Sequence, residues 1–269
     1  MTLYDEMLAS YDKKNPRAAY EVSQQIILAG LHRGGFFNHA AFYGGTCLRI
    51  FHNLQRFSED MDFSLLKPNP DFRFEVFFPF IVNEFEAMGR HVEIKKKDKR
   101  TFGKVESAFL KDTTDVYNLV FQTQKTLKIK IEVDTQPPLK FDTEQKMLFQ
   151  PYSFSTRCMS LPCLFAGKMH ALVYRAWINR IKGRDWYDFE WYVRHNVPLD
   201  FAHLQERIYQ FGEGLLDRET FMAKLRERLA TGDIDSVKAD VGNFIINKQE
   251  MDIWSNDYFL LLADNIRFV

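Results

Sequence analysis

Cysteine is scarce in this chain: three residues, Cys47, Cys158 and Cys163, in a length of 269. A small odd number in a chain of this size does not make a disulfide framework, and it fits a reducing compartment. A surplus of charge is missing as well, because Lys+Arg and Asp+Glu both number 36. A neutral chain has no overall attraction for nucleic acid, so any such contact needs a local basic patch. Long apolar runs are absent; none approaches the ~18 residues of a membrane helix. The first residues, MTLYDEMLASYDKK, carry acids and lack the apolar core of a signal peptide. The expectation is a cytoplasmic protein without a membrane partner. Histidine clusters of the kind that activate water in hydrolases are also lacking, and His170, His195 and His203 show no metal-ligand spacing. What remains is 46% hydrophobic and holds 26 Phe, which is ample for a packed core and excludes a disordered chain.

The chemistry-bearing residues concentrate between Ala41 and Leu66, AFYGGTCLRIFHNLQRFSEDMDFSLL. A short apolar run, Ala41 to Tyr43, meets Gly44 and Gly45. A helical segment follows, Thr46 to Asn53. Beyond it come Arg56, Ser58, Asp60 and Asp62, then an apolar tail from Phe63 to Leu66. Residues two apart on a strand point to one side, so Asp60 and Asp62 share a face while Met61 and Phe63 share the other. Paired carboxylates repel unless a cation lies between them, and hard oxygen ligands suit Mg²⁺ or Mn²⁺. A glycine pair where a strand enters a helix lets backbone N–H groups approach a phosphate. Carboxylates and a glycine-lined turn together read as phosphoryl or nucleotidyl transfer.

Gly45-Thr46, then residues 47–59, then Asp60-Met61-Asp62 resembles the first motif of the DNA polymerase β-type nucleotidyltransferase superfamily. More narrowly, GGTCLR followed by RFSEDMDFSL resembles the AbiEii/AbiGii toxin family, the toxin half of type IV toxin–antitoxin and abortive-infection systems. The resemblance extends over roughly residues 15 to 195 and recurs at two later places. Leu127 to Asp134, LKIKIEVD, alternates cleanly, with Leu127, Ile129, Ile131 and Val133 on one face. Lys130-Ile131-Glu132 matches the family's Lys-x-Asp/Glu motif, which makes Glu132 the first choice for a third carboxylate and Asp134 the reserve. Further on, LFAGKMHALVYRAWINRIK (Leu164 to Lys182) reads as one helix carrying Lys168, Arg175 and Lys182 seven apart. It leads into KGRDWYD, where Lys168, Arg175, Arg184, Asp185 and Asp188 match the family's arginine–aspartate motif. Asp185 sits where it could cap the next helix.

The resemblance implies transfer of a nucleoside monophosphate from an NTP to an acceptor hydroxyl, with Asp60, Asp62 and Glu132 holding Mg²⁺ or Mn²⁺. Gly44, Gly45, Thr46, Lys130, Lys168 and Arg175 would hold the triphosphate, with Arg49 as a weaker candidate. Arg56, Ser58, Arg184, Asp185 and Asp188 would support them. In toxin relatives the acceptor can be the 3′ end of tRNA, and a cognate antitoxin is the expected protein partner. Two other classes fit the same residues. One is a non-catalytic nucleotide-binding module neutralised by a partner. The other is a kinase-like or phosphohydrolase enzyme using the same metal site.

Periodicity supplies the frame. Residues 3–33 read as helices, with Pro16 opening the second and Gly34-Gly35 ending it. Phe72 to Met88 reads as a helix with an aromatic face, capped by Gly89. Val92 to Ile94 begins a strand that runs into Lys95, Lys96, Lys97, Lys99 and Arg100, either a protected edge or a contact for RNA phosphates. Ser107–Leu110 and Val116–Gln122 follow as strands, and residues 146–159 as one or two more. Past Leu161 the strand signals almost stop, and four helices are expected near 200–210, 218–230, 233–246 and 254–264. The predicted fold is α+β: a nucleotidyltransferase-like mixed β-sheet flanked by helices (1–160), followed by a helical C-terminal half (161–269).

Overall fold

The computed structural model of the chain describes residues 2–11, 15, 17–97, 113–121, 127–175, 181–212 and 214–269. It has a mixed sheet, flanking helices and a helical C-terminal half. The described residues divide into two compact units made of separated stretches. The first contains Met1–His52, Glu59–Pro137 and Thr143–Cys158; the second contains Asn53–Ser58, Pro138–Asp142 and Met159–Val269.

In the first unit, helices α1 (Leu3–Ala9) and α2 (Ala18–Arg33) precede β1 (Ala40–Tyr43), which enters α3 (Gly44–His52). Then come β2 (Met61–Leu65), α4 (Phe78–Ala87), β3 (Val92–Lys96), β4 (Thr114–Phe121), β5 (Lys128–Asp134), β6 (Thr143–Leu148) and β7 (Phe154–Met159). The seven strands lie in the order β3-β4-β5-β2-β1-β7-β6. β1 runs antiparallel to β2 and parallel to β7, while β2 runs parallel to β5. One face of this mixed sheet is apolar: Phe42, Phe63, Ile129, Ile131, Val133 and Cys158 are fully buried. Phe42 stacks on Phe63, which also meets the edge of Phe36 from the 3₁₀ turn Phe36–Asn38, and Phe85 of α4 meets the edge of Phe121. Each such ring contributes about 1.5–3 kcal/mol by leaving water. The period-2 alternation of β5 exists because one side must join this core.

The aromatic helix of 72–88 starts later than its pattern predicts. A 3₁₀ turn, Phe74–Phe77, precedes α4, in which Pro79 occupies the first turn. Proline lacks an N–H and has φ fixed near helical values, so it opens a helix more readily than it continues one. β3 forms one end of the sheet, and its lysines are engaged: Lys95 with Glu93 at 3.1 Å, Lys96 with Asp115 at 3.1 Å and Glu75 at 3.4 Å. Pro16, Lys99, Arg100, Ser107–Leu110 and Gln122 lie outside the described residues. The expected strand region 146–159 is two strands, β6 and β7.

The second unit is helical: α5 (Leu161–Tyr174), α6 (Gly183–Arg194), α7 (Phe201–Gln210), α8 (Arg218–Thr231), α9 (Ile234–Val241) and α10 (Asn256–Ala263). Asp200, Asp217, Asp233 and Ser255 cap the last four through side-chain acceptors. Trp186 packs edge-on against Phe259, and Phe165 stacks on Tyr192, in a core that includes Phe189 and Phe221.

The single helix expected from Leu164 to Lys182 is corrected here. α5 ends at Tyr174, and Arg175 takes an extended backbone with φ −67° and ψ 115°. Lys182 is extended too, with φ −95° and ψ 92°, and precedes α6. Lys168, Arg175 and Lys182 therefore do not line one helix face. An unbroken helix would carry Asp185 about 15 Å of rise beyond Arg175. The break lets Asp185 meet Arg175 at 3.2 Å. All three cysteines are buried and free. Among the described residues no helix is long and apolar enough to cross a membrane.

Candidate active site

The sheet's second face is half-exposed and polar. β1 ends at Tyr43, and Gly44 follows with φ +80°, a left-handed backbone that side chains rarely adopt. A Cβ at Gly44 would lie 2.3 Å from Asp62 Oδ2. Glycine is thus required twice at this position, by backbone conformation and by the carboxylate beside it. α3 begins at once, so the turn and the first free N–H groups of a helix coincide. Thr46 is fully buried, and its hydroxyl donates to the backbone carbonyl of Asp60. This bond fixes the acidic segment to the start of α3.

The strand register assembles the acids. Tyr43 lies opposite Asp62 across β1 and β2, and Asp62 lies beside Glu132 across the parallel β2–β5 pair. Side chains at paired positions point the same way, so Asp60, Asp62 and Glu132 share one face. Asp134 shares it too but lies beside Ser64, one step along, where it accepts the backbone N–H of Gln136 at 3.0 Å. The level of Asp62 thus belongs to Glu132. Lys130, two residues earlier on β5, is ion-paired with Glu132. Burial works against its ammonium, but Glu132, Asp60 and Asp62 outweigh burial and hold its pKa above the ordinary lysine value. The acidic cluster therefore already draws one cation into itself.

Among the described residues no three His, Cys, Asp or Glu side chains converge closely enough to hold a metal ion. The chemistry of the donors is another matter. Asp62 and Glu132 at paired strand positions, with Asp60 two residues before Asp62, are hard oxygen donors of the kind that suits a hard divalent cation. Arg49, expected near phosphate, is ion-paired with Glu21 of α2 at 3.0 Å.

The second unit gathers a different cluster. Arg56 grips Asp188 with both prongs, Nε to Oδ1 at 2.5 Å and Nη2 to Oδ2 at 2.6 Å, and both side chains are almost wholly buried. Lys168 Nζ lies 2.8 Å from Asp185 Oδ1 and 2.8 Å from Asp188 Oδ2, and Arg175 Nη1 lies 3.2 Å from Asp185 Oδ2. Burial alone would raise both carboxyls. Lys168 and Arg175 overcome it at Asp185, Arg56 and Lys168 at Asp188, and both are held below the usual carboxylate range. Asp185 does not cap α6. Lys182 is the N-cap residue, and Asp185 stands in the first turn with its side chain committed to Lys168 and Arg175. Burial, then the Arg175 charge, depresses Lys182 to about 8. Arg184 lies over the ring of Phe244 at 4.3 Å. Ser58 is buried in the same unit.

A Cβ on Gly183 would come within 2.1 Å of the Val237 carbonyl oxygen, so α6 starts where only glycine fits against α9. One residue the sequence reasoning missed is Arg228 of α8, whose pKa burial lowers and the charge of Asp185 partly restores. It lies far along the chain in a helix with no motif, so only the folded arrangement reveals it.

The family described as nucleotidyl transferase AbiEii toxin, type IV TA system, matches residues 26–258. Two solved structures are similar in fold. A candidate nucleotidyltransferase from H. pylori superposes with a TM-score of 0.56 at 16% identity, over 93% of this chain and 94% of that one. JHP933 from Helicobacter pylori gives 0.54 at 16% identity, over 94% and 90%. No curated protein matches the chain.

Proposed function

Since the chain belongs to the AbiEii family of nucleotidyl transferase toxins of type IV toxin–antitoxin systems, we propose that it transfers a nucleoside monophosphate from an NTP to the 3′-terminal hydroxyl of tRNA. The observation that carries this reading is the register that puts Glu132 beside Asp62, with Gly44 closed against the Asp62 carboxylate.

In this mechanism Asp60, Asp62 and Glu132 would hold Mg²⁺, which supplies charge neutralisation at the reacting phosphoryl group. The Gly44–Gly45 turn and the first N–H groups of α3 receive phosphate oxygens. Glu132 takes the proton of the acceptor hydroxyl as its oxygen bonds to the α-phosphorus. The bond from the α-phosphorus to its bridging oxygen breaks, and pyrophosphate leaves. Lys130 moves its charge from Glu132 toward phosphate as the carboxylate is used. For Lys168 and Arg175 the proposed role is phosphate binding, with Asp185 fixing both side chains and Asp188 also holding Lys168. The cognate antitoxin is the proposed protein partner.

The test is incubation of the purified protein with each α-labelled NTP, Mg²⁺ and total tRNA, with products separated on a sequencing gel and Asp62→Ala as control. Extended tRNA with the wild type alone is the expected result. Label entering tRNA equally with Asp62→Ala would remove the mechanism. Pyrophosphate released without labelled tRNA would keep the transfer and move the acceptor to protein or a small molecule.

A further inference from the structure

β7 carries a residue that neither the motifs nor the family resemblance singles out. It runs parallel to β1 with Cys158 beside Phe42. Phe154, Thr156 and Cys158 therefore join the buried apolar face, where their exposures are 2%, 0% and 0%. Arg157 is placed on the opposite face by the same alternation. That face also holds Tyr43, Asp62 and Glu132, by the pairings of β1 with β2 and of β2 with β5. Glu132, Asp62 and Tyr43 form one row across this face, and Arg157 follows on β7 in the next row, level with Ala41, Ser64 and Asp134 and two residues further from the turn. β1 lies between the strands of Asp62 and Arg157, and β1 is the strand that ends in the Gly44–Gly45 turn.

Arg157 is half-buried, and its Nε is shielded from water without a hydrogen-bond partner among the described residues. The other arginines of this unit that fold against it have carboxylates: Arg17 has Glu59, Arg33 has Glu84, Arg49 has Glu21 and Arg90 has Asp5. A guanidinium does not shed its proton, so it cannot relieve burial by becoming neutral. Shielding one of its donors without a partner is unfavourable, and the cost disappears when an acceptor arrives. The acidic cluster on the same face draws on Lys130. An anionic acceptor also meets the charge of the guanidinium, and the planar fork of arginine matches phosphate oxygens.

We propose that Arg157 is a further substrate-binding residue whose long side chain takes phosphoryl oxygens of the bound nucleoside triphosphate from β7, on the other side of β1 from Asp62. This rests on the nucleotidyl-transfer reading above. It places one cation on each side of the carboxylates, Lys130 on β5 and Arg157 on β7, so a polyanion can lie across an acid-rich face.

The experiment uses the full chain. Equilibrium binding of ATP, GTP, CTP and UTP with Mg²⁺ is measured for wild type, Arg157→Gln and Arg157→Lys, together with KM and kcat for whichever NTP is consumed. Losing one charge-assisted contact should weaken NTP binding about 10- to 100-fold in Arg157→Gln. The loss should fall on KM more than on kcat, and Arg157→Lys should recover part of it. Thermal unfolding of each variant separates this from a folding defect. NTP binding by a folded Arg157→Gln within twofold of a wild type that does bind would overturn the assignment and leave the transfer reading standing. A wild type that binds none of the four would overturn both.

Discussion

The two units hold clusters of the same residue types in opposite balance. On the sheet of the first, Asp60, Asp62 and Glu132 outnumber Lys130 and stay half-exposed. In the second, Arg56, Lys168, Arg175 and Lys182 outnumber Asp185 and Asp188, and those two carboxylates are buried. Half-exposed acids can be reached by a cation from outside. Buried acids gripped by two cations each are already satisfied, and breaking them strands a charge. The same residue types thus form the proposed metal site in one unit and, in the other, a buried lock on the cations proposed for phosphate.

The sharpest way to break this comparison is to substitute one aspartate from each cluster. Asp62→Ala should reduce transfer on the order of 10³-fold or more, since a metal ligand is worth several kcal/mol at the transition state. Its thermal midpoint should not fall, because a repelling charge has been removed. Asp188→Ala should do the reverse to stability. It leaves the Arg56 guanidinium, 3% exposed, without its bidentate partner, at a cost of roughly 3–5 kcal/mol. Urea titration of both variants decides the matter. An Asp188→Ala protein as stable as wild type would dissolve the lock, and a destabilised Asp62→Ala would make the first cluster structural as well.

A smaller effect sharpens the first half. Gly44→Ala forces a methyl group toward Asp62 Oδ2 and a side chain onto φ +80°. The left-handed backbone costs roughly 1–2 kcal/mol. A displaced carboxylate of the order of 1 Å costs about 10²-fold in rate. Activity should therefore fall by more than stability alone explains, and a variant with full activity per folded molecule would show that Asp62 does not need this glycine.

This division was partly legible in the residues themselves. The alternation of β5 and the D-x-D of 60–62 announce two strands with acids on one side, and the end of strand signals past Leu161 announces the late helices. Alternation could not separate Glu132 from Asp134, because both lie on the same face; only the pairing of distant strands sets their level against Asp62. The lock was less visible still. Arg56 and Asp188 are 132 residues apart, and no local pattern records that one grips the other. The break after Tyr174 was hidden because helical spacing continues in sequence after the backbone has left the helix. Arg157 carries no motif at all, and its meaning comes from the face it shares.

The smallest expected effect lies in the surplus charge of the second cluster. Lys182 faces Arg175, Arg184 and Lys168 as well as Asp185, and the N–H of its neighbour Gly183 binds Asp240 at 2.9 Å. Burial and the nearby cations bring its pKa from 10.5 to about 8. Below that value folded and unfolded chains both carry the charge, and the fold bears the whole penalty of hiding it. Between about 8 and 10.5 only the unfolded chain is protonated, so unfolding takes up a proton and stability rises with pH. Above both values the two states again agree. The gain is modest because Lys182 keeps some contact with water, which screens it. Replacing it by methionine should remove that rise while leaving the rest of the pH profile in place. The measurement is the difference between wild type and Lys182→Met in urea stability from pH 7 to the alkaline end, because other lysines and tyrosines cancel in the difference. Parallel profiles would mean that neither burial nor the neighbouring cations depress Lys182 in the folded chain.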